Sequence, residues 1–243
     1  MTNLFAEWRS ELPQNISKTK PILCDITNVC LWTNAIGIHT MTDDHLIAYL
    51  PWDNVWFESV IDGRASVIFA QTNRENHTNE FNVFTGHKKP IYIGTAISTI
   101  GLVKCKIHIN SVFSDRQEDA IAFIRASITE SLVACTFSHC KNVTYYEREC
   151  PPKLQKKRIK KGKIPQETYR ILDIDGLQKQ AKSESTKERG ELQTALHICR
   201  GHFKTYSKEK PLMGKFTGTY WWPMHKRGSA EYGTVHKDYK ITP

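Results

Sequence analysis

Val103–Ser138 reads VKCKIHINSVFSDRQEDAIAFIRASITESLVACTFS, and within it the spacing of the apolar side chains changes period. Val103, Cys105, Ile107 and Ile109 alternate with Lys104, Lys106 and His108. Successive side chains of a strand point to opposite faces, so this stretch predicts a half-buried antiparallel strand. Further on, Ile121, Ile124, Ile128, Leu132 and Cys135 recur at three- and four-residue steps, the stripe of a helix. Ser114-Asp-Arg-Gln117 has capping-box form, and Asp115 and Glu118 suit the positive end of a helix. A helix over 115–138 laid on a sheet follows.

Upstream, the first 110 residues read mainly as strands. The turn-rich Asn73-Arg-Glu-Asn76 separates ASVIFA (Ala65–Ala70) from EFNVF (Glu80–Phe84) as a hairpin would, and another apolar run follows at Ile91–Ile97. Downstream, Cys150-Pro-Pro opens a break in composition. Lys153, Lys156, Lys157, Arg158, Lys160, Lys161 and Lys163 place seven cations in eleven residues. TYRILDI (Thr168–Ile174) resembles a strand, residues 178–191 read as a polar mobile loop, and Leu196–Tyr206 and Lys215–Trp222 are two further strands joined through Ser207–Gly214. The expected architecture is α+β: an antiparallel sheet region, the long helix, and a basic β-rich C-terminal part. Its expected domains are 1–150 and 166–243, with 151–165 as a basic linker; one continuous sheet is the alternative.

The chain has 243 residues, enough for a substantial core, with 40 % hydrophobic and 24 % charged residues. No window holds the roughly 20 apolar residues expected of a spanning helix. Glu7, Arg9 and Glu11 stand where a secretory signal would be apolar. Seven cysteines without CxxC spacing are expected to be reduced and mostly buried, and the expected compartment is the cytoplasm. The net charge of +9 is uneven: residues 1–150 hold 13 Lys/Arg against 16 Asp/Glu, and residues 151–243 hold 21 against 9. A field of +12 confined to the last third points to a polyanionic partner.

Two features could meet such a partner. The 153–163 run gains affinity for phosphates by releasing counterions, without needing a fixed shape; a solvated linker is the other reading of it. In Leu196–Tyr206, strand alternation sends Arg200, His202 and Lys204 to one face and His197, Cys199 and Phe203 to the other. His225 and Arg227 follow Pro223, and a hairpin through 207–214 would bring them near Arg200 and His202. Two histidines can take a proton from a 2′-hydroxyl and deliver one to a leaving 5′-oxygen, while Arg200, Arg227 and Lys204 hold the phosphate. Metal-independent RNA cleavage is therefore one use of the face, and plain phosphate binding is the other. His197-x-Cys-x-x-His202 and Cys135-x-x-x-His139-Cys140 lack the paired spacing of structural zinc sites, so no metal or other cofactor is expected. Tyr220, Trp221 and Trp222 cannot all share a face; core packing is their first use, with Trp221 the candidate to stack on a base. Trp52 and Trp56 read as packing aromatics. There is no GxGxxG or P-loop pattern for a nucleotide cofactor.

Arg200-Gly-His-Phe, Gly218-x-Tyr-Trp-Trp, His225-x-Arg-Gly228 and Lys237-Asp-Tyr239 together resemble a module in uncharacterised proteins of bacteria and their phages. Cys140-Lys-Asn-Val143, Pro-Pro-Lys-Leu154 and the basic segment ending at Lys163 resemble its upstream part. That resemblance covers 140–243, implies a phage or prokaryotic origin, and carries no activity. Small basic ribonuclease toxins offer an analogy by residue type alone. The expected function is nucleic-acid binding, RNA favoured, with ribonuclease chemistry as an extension. The alternative is a non-enzymatic phage protein that binds a host factor, for example to counter a defence system. No membrane partner is expected.

Overall fold

The computed structural model describes residues 3–36, 46, 48–174, 195–199, 201–222, 225–227 and 229–234. They form two units: residues 1–139 with 144–174, and residues 140–143 with 175–243. The expected loop at 178–191 and the Lys237–Tyr239 motif lie outside the described residues.

The first unit is a mixed eight-stranded sheet. Strands β2 (Asn54–Ile61), β3 (Arg64–Asn73), β4 (Thr78–Gly86), β5 (Ile91–Thr99) and β6 (Cys105–Ile109) form an antiparallel meander in sequence order. Each has the alternation or apolar run that marks a strand, and Asp62-Gly63 closes β2 onto β3. Both turn residues have positive φ, 50° and 75°, which matches the twist of a two-residue hairpin turn. The meander continues past β2 into β1 (Ile22–Asp25), β8 (Tyr169–Asp173) and β7 (Thr144–Arg148). Here the expectation of an antiparallel sheet needs correction, because β1 runs parallel to both β2 and β8. TYRILDI, expected to open a C-terminal domain at 166, is an interior strand of this sheet, and the unit extends to Ile174.

Helices cover both faces. Strand residues Trp56, Ala65, Val67, Phe69 and Phe84 bury one face beneath α1 (Leu4–Trp8) and α2 (Gln14–Ser17), which contribute Leu4, Phe5, Trp8 and Ile16, with Leu12 from the loop between them. The other face carries α4 (Gln117–His139), entered through a 3-10 turn (Ser111–Arg116). Ile124, Ile128, Leu132 and Cys135 are buried as the stripe predicts. The N-terminal cap differs from the expected Ser114, since the Asn110 side chain accepts from the Val112 N–H and starts the turn. The Ser66 and Ser127 hydroxyls share a hydrogen bond at 3.1 Å. Helix α3 (Thr27–Ile36) packs beside α4, Trp32 meeting Phe137 edge-on at 5.3 Å. By length and composition alone the segment Ser111–His139 could cross a membrane, but 61 % of its most apolar window is buried inside the fold, as in a core helix.

A buried polar group sits in the middle of the first face. Glu58 on β2 is 1 % exposed, accepts from the Tyr169 hydroxyl at 2.8 Å and lies 3.3 Å from Trp56 Nε1. Nearby, Arg148 pairs with Asp25 at 2.9 Å. Burial, then the charge of Glu58, pushes the Tyr169 phenol up.

The second unit holds β9 (Ala195–Cys199), β10 (His202–Tyr206), β11 (Gly218–Trp222), β12 (His225–Arg227) and β13 (Ser229–Thr234). Strands β10 and β11 pair antiparallel, and β12, β9 and β13 form a three-stranded sheet. The single strand expected over 196–206 is described as two, β9 and β10, with Gly201, a residue that weakens a ladder, outside both.

Three outcomes test this packing. A Cβ added to Gly94 would lie 2.4 Å from the His108 carbonyl oxygen and 2.9 Å from Ile124 Cδ1, so Gly94→Ala should destabilise the fold by about 1–3 kcal/mol in urea titrations. Tyr169→Phe removes a donor to a buried carboxylate and should cost about 1–3 kcal/mol by the same measurement. Burial pushes the thiols of Cys24 and Cys140 from an ordinary 9.0 up to about 12, and raises Cys30 and Cys135 as well. These thiols ionise first in the unfolded chain, which then holds fewer protons than the native one, so stability falls as pH rises. The thermal midpoint should be flat below about pH 8 and drop progressively above about pH 9.

Candidate nucleic-acid interface

The seven cations of 153–163 do not form a shapeless arm. Pro152–Lys160 is a helix, α5, with Pro152 at its first turn, where the missing N–H is harmless. The returning chain is tied to it: the Gln155 side chain donates to the Gln166 carbonyl at 2.9 Å and accepts from the Gln166 N–H at 3.0 Å. Arg158 donates twice to the Ile164 carbonyl, at 3.2 and 3.0 Å. Arg158 is thus partly spent on structure, whereas Lys153, Lys156, Lys157, Lys160, Lys161 and Lys163 are exposed.

The second unit carries the other candidates. Strands β10 and β11 pair His202 with Trp222, Phe203 with Trp221, Lys204 with Tyr220, Thr205 with Thr219 and Tyr206 with Gly218. Paired residues share a face, and faces alternate along a strand. One face therefore carries His202, Lys204, Tyr206, Tyr220 and Trp222. His202 and Lys204 are exposed, and the three aromatics are partly exposed. The Lys204 ammonium lies 5.1 Å from the Tyr206 ring centroid, and Tyr206 meets Tyr220 edge-on at 5.9 Å. On the opposite face Trp221 is 3 % exposed and packs on Phe203 with centroids 4.9 Å apart, while Thr205 is exposed.

Trp221 is consequently misassigned as a base-stacking residue, since the pairing that places Lys204 outward turns Trp221 inward. Its neighbours Tyr220 and Trp222, with Tyr206, hold the outward positions instead. Tyr206 was within reach of the alternation that selected His202 and Lys204. Tyr220 and Trp222 needed the register, which adjacency alone does not supply.

The outer edge of β11 is also occupied. Lys141 N–H donates to the Thr219 carbonyl at 2.9 Å. The Asn142 carboxamide accepts from the Trp221 N–H at 2.9 Å and donates to the Trp221 carbonyl at 2.7 Å, replacing a neighbouring strand with one side chain. The segment Cys140–Val143 thus meets the Gly218–Trp222 strand physically.

For the remaining expected residues the strand ladder alone speaks. β12 pairs with β9, His225 opposite Cys199 and Arg227 opposite His197. The register matches that of β10 and β11. Counted by register, the pair holding His225 is three positions along the chain from the pair holding His202. Arg200 lies outside the described residues, and His225 and Arg227 are placed by strand position only.

Elsewhere, a cleft of about 420 Å³ opens beside the starts of β1 and β8. It mixes Arg9, Lys20 and Arg170 with Glu147 and Glu167. Arg170 already pairs with Glu147 at 3.3 Å and stacks on Trp52 at 4.8 Å, so this cleft offers a polyanion little unbalanced charge. Trp52 and the fully buried Trp56 are packing aromatics, as their context suggested. Among the described residues, His, Cys, Asp and Glu side chains nowhere gather in a metal-binding group of three. No protein-family model, curated protein or solved structure matches the chain.

Proposed function

We propose that the chain binds single-stranded nucleic acid, RNA favoured, on the outward face of the β10–β11 hairpin, with the α5 lysines as a further phosphate-binding surface. The observation that carries this reading is the register that gathers His202, Lys204, Tyr206, Tyr220 and Trp222 on one face while burying Trp221. Aromatic rings offer stacking surfaces to unpaired bases, and interleaved cations hold the phosphates between them. The concentration of +12 in residues 151–243 supports the same partner, because it raises the local concentration of a polyanion. RNA is favoured because its sequence-specific recognition falls mostly on unpaired bases splayed onto such rings. Metal-independent cleavage is the further chemistry proposed here, with His202 as its proton-transfer candidate on this face.

Fluorescence anisotropy with a labelled oligouridylate tests binding. Affinity should fall log-linearly with salt, by about 0.7 log units per contacted phosphate. Tyr220→Ala should weaken binding by about 1–3 kcal/mol without altering that slope. Replacing Lys156, Lys157 and Lys160 together with Ala should flatten the slope instead. No binding at about 50 mM salt overturns the reading and turns attention to a protein partner. Incubation with RNA in excess EDTA tests the chemistry: 2′,3′-cyclic phosphate ends that disappear in His202→Ala assign cleavage, and intact RNA assigns binding alone.

A further inference from the structure

The turn between β10 and β11 is built against ordinary preference. Met213 has φ +52°, the left-handed region that glycine and asparagine enter most readily, and it is followed by Gly214 at φ +70°. The turn is well formed, with Leu212 N–H donating to the Phe216 carbonyl at 2.8 Å and Phe216 N–H returning to the Leu212 carbonyl at 3.0 Å. At its tip Met213 is 78 % exposed and Phe216 is 52 % exposed. A methionine held in a strained conformation, with its side chain in water, contributes nothing to folding that glycine would not. Such an outlier motivates a functional assignment.

The surroundings indicate the occupant. Lys208, Lys210 and Lys215 are all exposed on the same loop, and Glu209 is its sole acid. Three lysines against one glutamate give the loop a formal net charge of +2. Three exposed cations thus share one loop with two exposed apolar side chains, and the strands that lead to it carry the aromatic, cationic face. A lipid surface would gain little from two side chains, whereas a single base step accepts one apolar wedge and brings phosphates to the neighbouring lysines.

We infer that Met213 and Phe216 form an apolar wedge that enters the base stack of RNA at unpaired positions, with Lys208, Lys210 and Lys215 on the flanking phosphates. This rests on the nucleic-acid reading above and adds a preference to it. A bulge is already partly unstacked, so the wedge spends less energy opening it than opening a continuous duplex.

The test compares an RNA hairpin carrying a one-nucleotide bulge beside 2-aminopurine, the same hairpin fully paired, and a single strand. The full chain should bind the bulged hairpin at least about tenfold more tightly than the paired one and change the 2-aminopurine fluorescence. Met213→Gly suits φ +52° better than methionine does, so it should leave the unfolding midpoint unchanged or raised while abolishing the preference. Phe216→Ser, which keeps the backbone bonds to Leu212, should act in the same direction. Single-strand binding and its salt slope should survive in both variants. Equal affinity for bulged and paired hairpins, or a preference retained in both variants, overturns the wedge while leaving single-strand binding intact. Failure to bind any of the three RNAs overturns the wedge together with the nucleic-acid reading. Vesicles containing phosphatidylserine serve as a parallel arm; binding to them that needs Met213 and Phe216, without RNA preference, overturns the wedge in favour of a lipid contact.

Discussion

Glu58 lies on β2, its carboxylate buried, and the hydroxyl that donates to it comes from Tyr169 on β8, with β1 in between. That reach matters because β1 is four residues long, and its ladder with β8 consists of the pairs Cys24–Arg170 and Asp25–Ile171. Five antiparallel strands on one side and two on the other are joined through this short parallel seam. A carboxylate removed from water is costly unless donors face it, so Glu58 stabilises one arrangement of the seam and penalises others. The Asp25–Arg148 pair adds a second clasp, from β1 to β7. The partners at the centre are 111 residues apart in sequence, so the seam closes only after most of the first unit has been made.

The meander and its covering helix were legible because their periods are long and clean. Val103–Ile109 and the stripe from Ile121 to Cys135 declare their buried faces directly. The seam was not legible: Ile22–Asp25 is too short to show a period, and a strand covered on both faces of its sheet does not alternate. The 3-10 entry to α4 moved its cap from Ser114 to Asn110. Composition misled at 153–163. Blocks of like charge usually stay solvated and irregular, but Lys, Arg, Gln and Leu are good helix formers, and the Gln155–Gln166 and Arg158–Ile164 bonds fold the segment onto itself.

At the candidate interface, alternation named His202 and Lys204 correctly as face-mates. Gly201 stands outside both strands, and Arg200 lies outside the described residues. Among Tyr220, Trp221 and Trp222, sequence reasoning could say that neighbours must divide between two faces, yet not which way. The choice is made by pairing across the hairpin, a contact of high sequence separation that no local pattern contains.

The four residues Cys140–Val143 have a consequence for how this protein can be divided. The chain leaves the first unit after His139, supplies an edge to β11 through Lys141 and Asn142, and returns to the large sheet as β7. The second unit is therefore not a cassette that ends where residues 175–243 end. A gene fragment beginning at 175 would leave the β11 edge without its surrogate strand, and one stopping at 174 would strand Asn142 without its backbone partner. Recombination that moves such units between proteins works when a single cut separates them. Here inheritance of the hairpin is tied to inheritance of the long helix that leads into it, and the two must travel together.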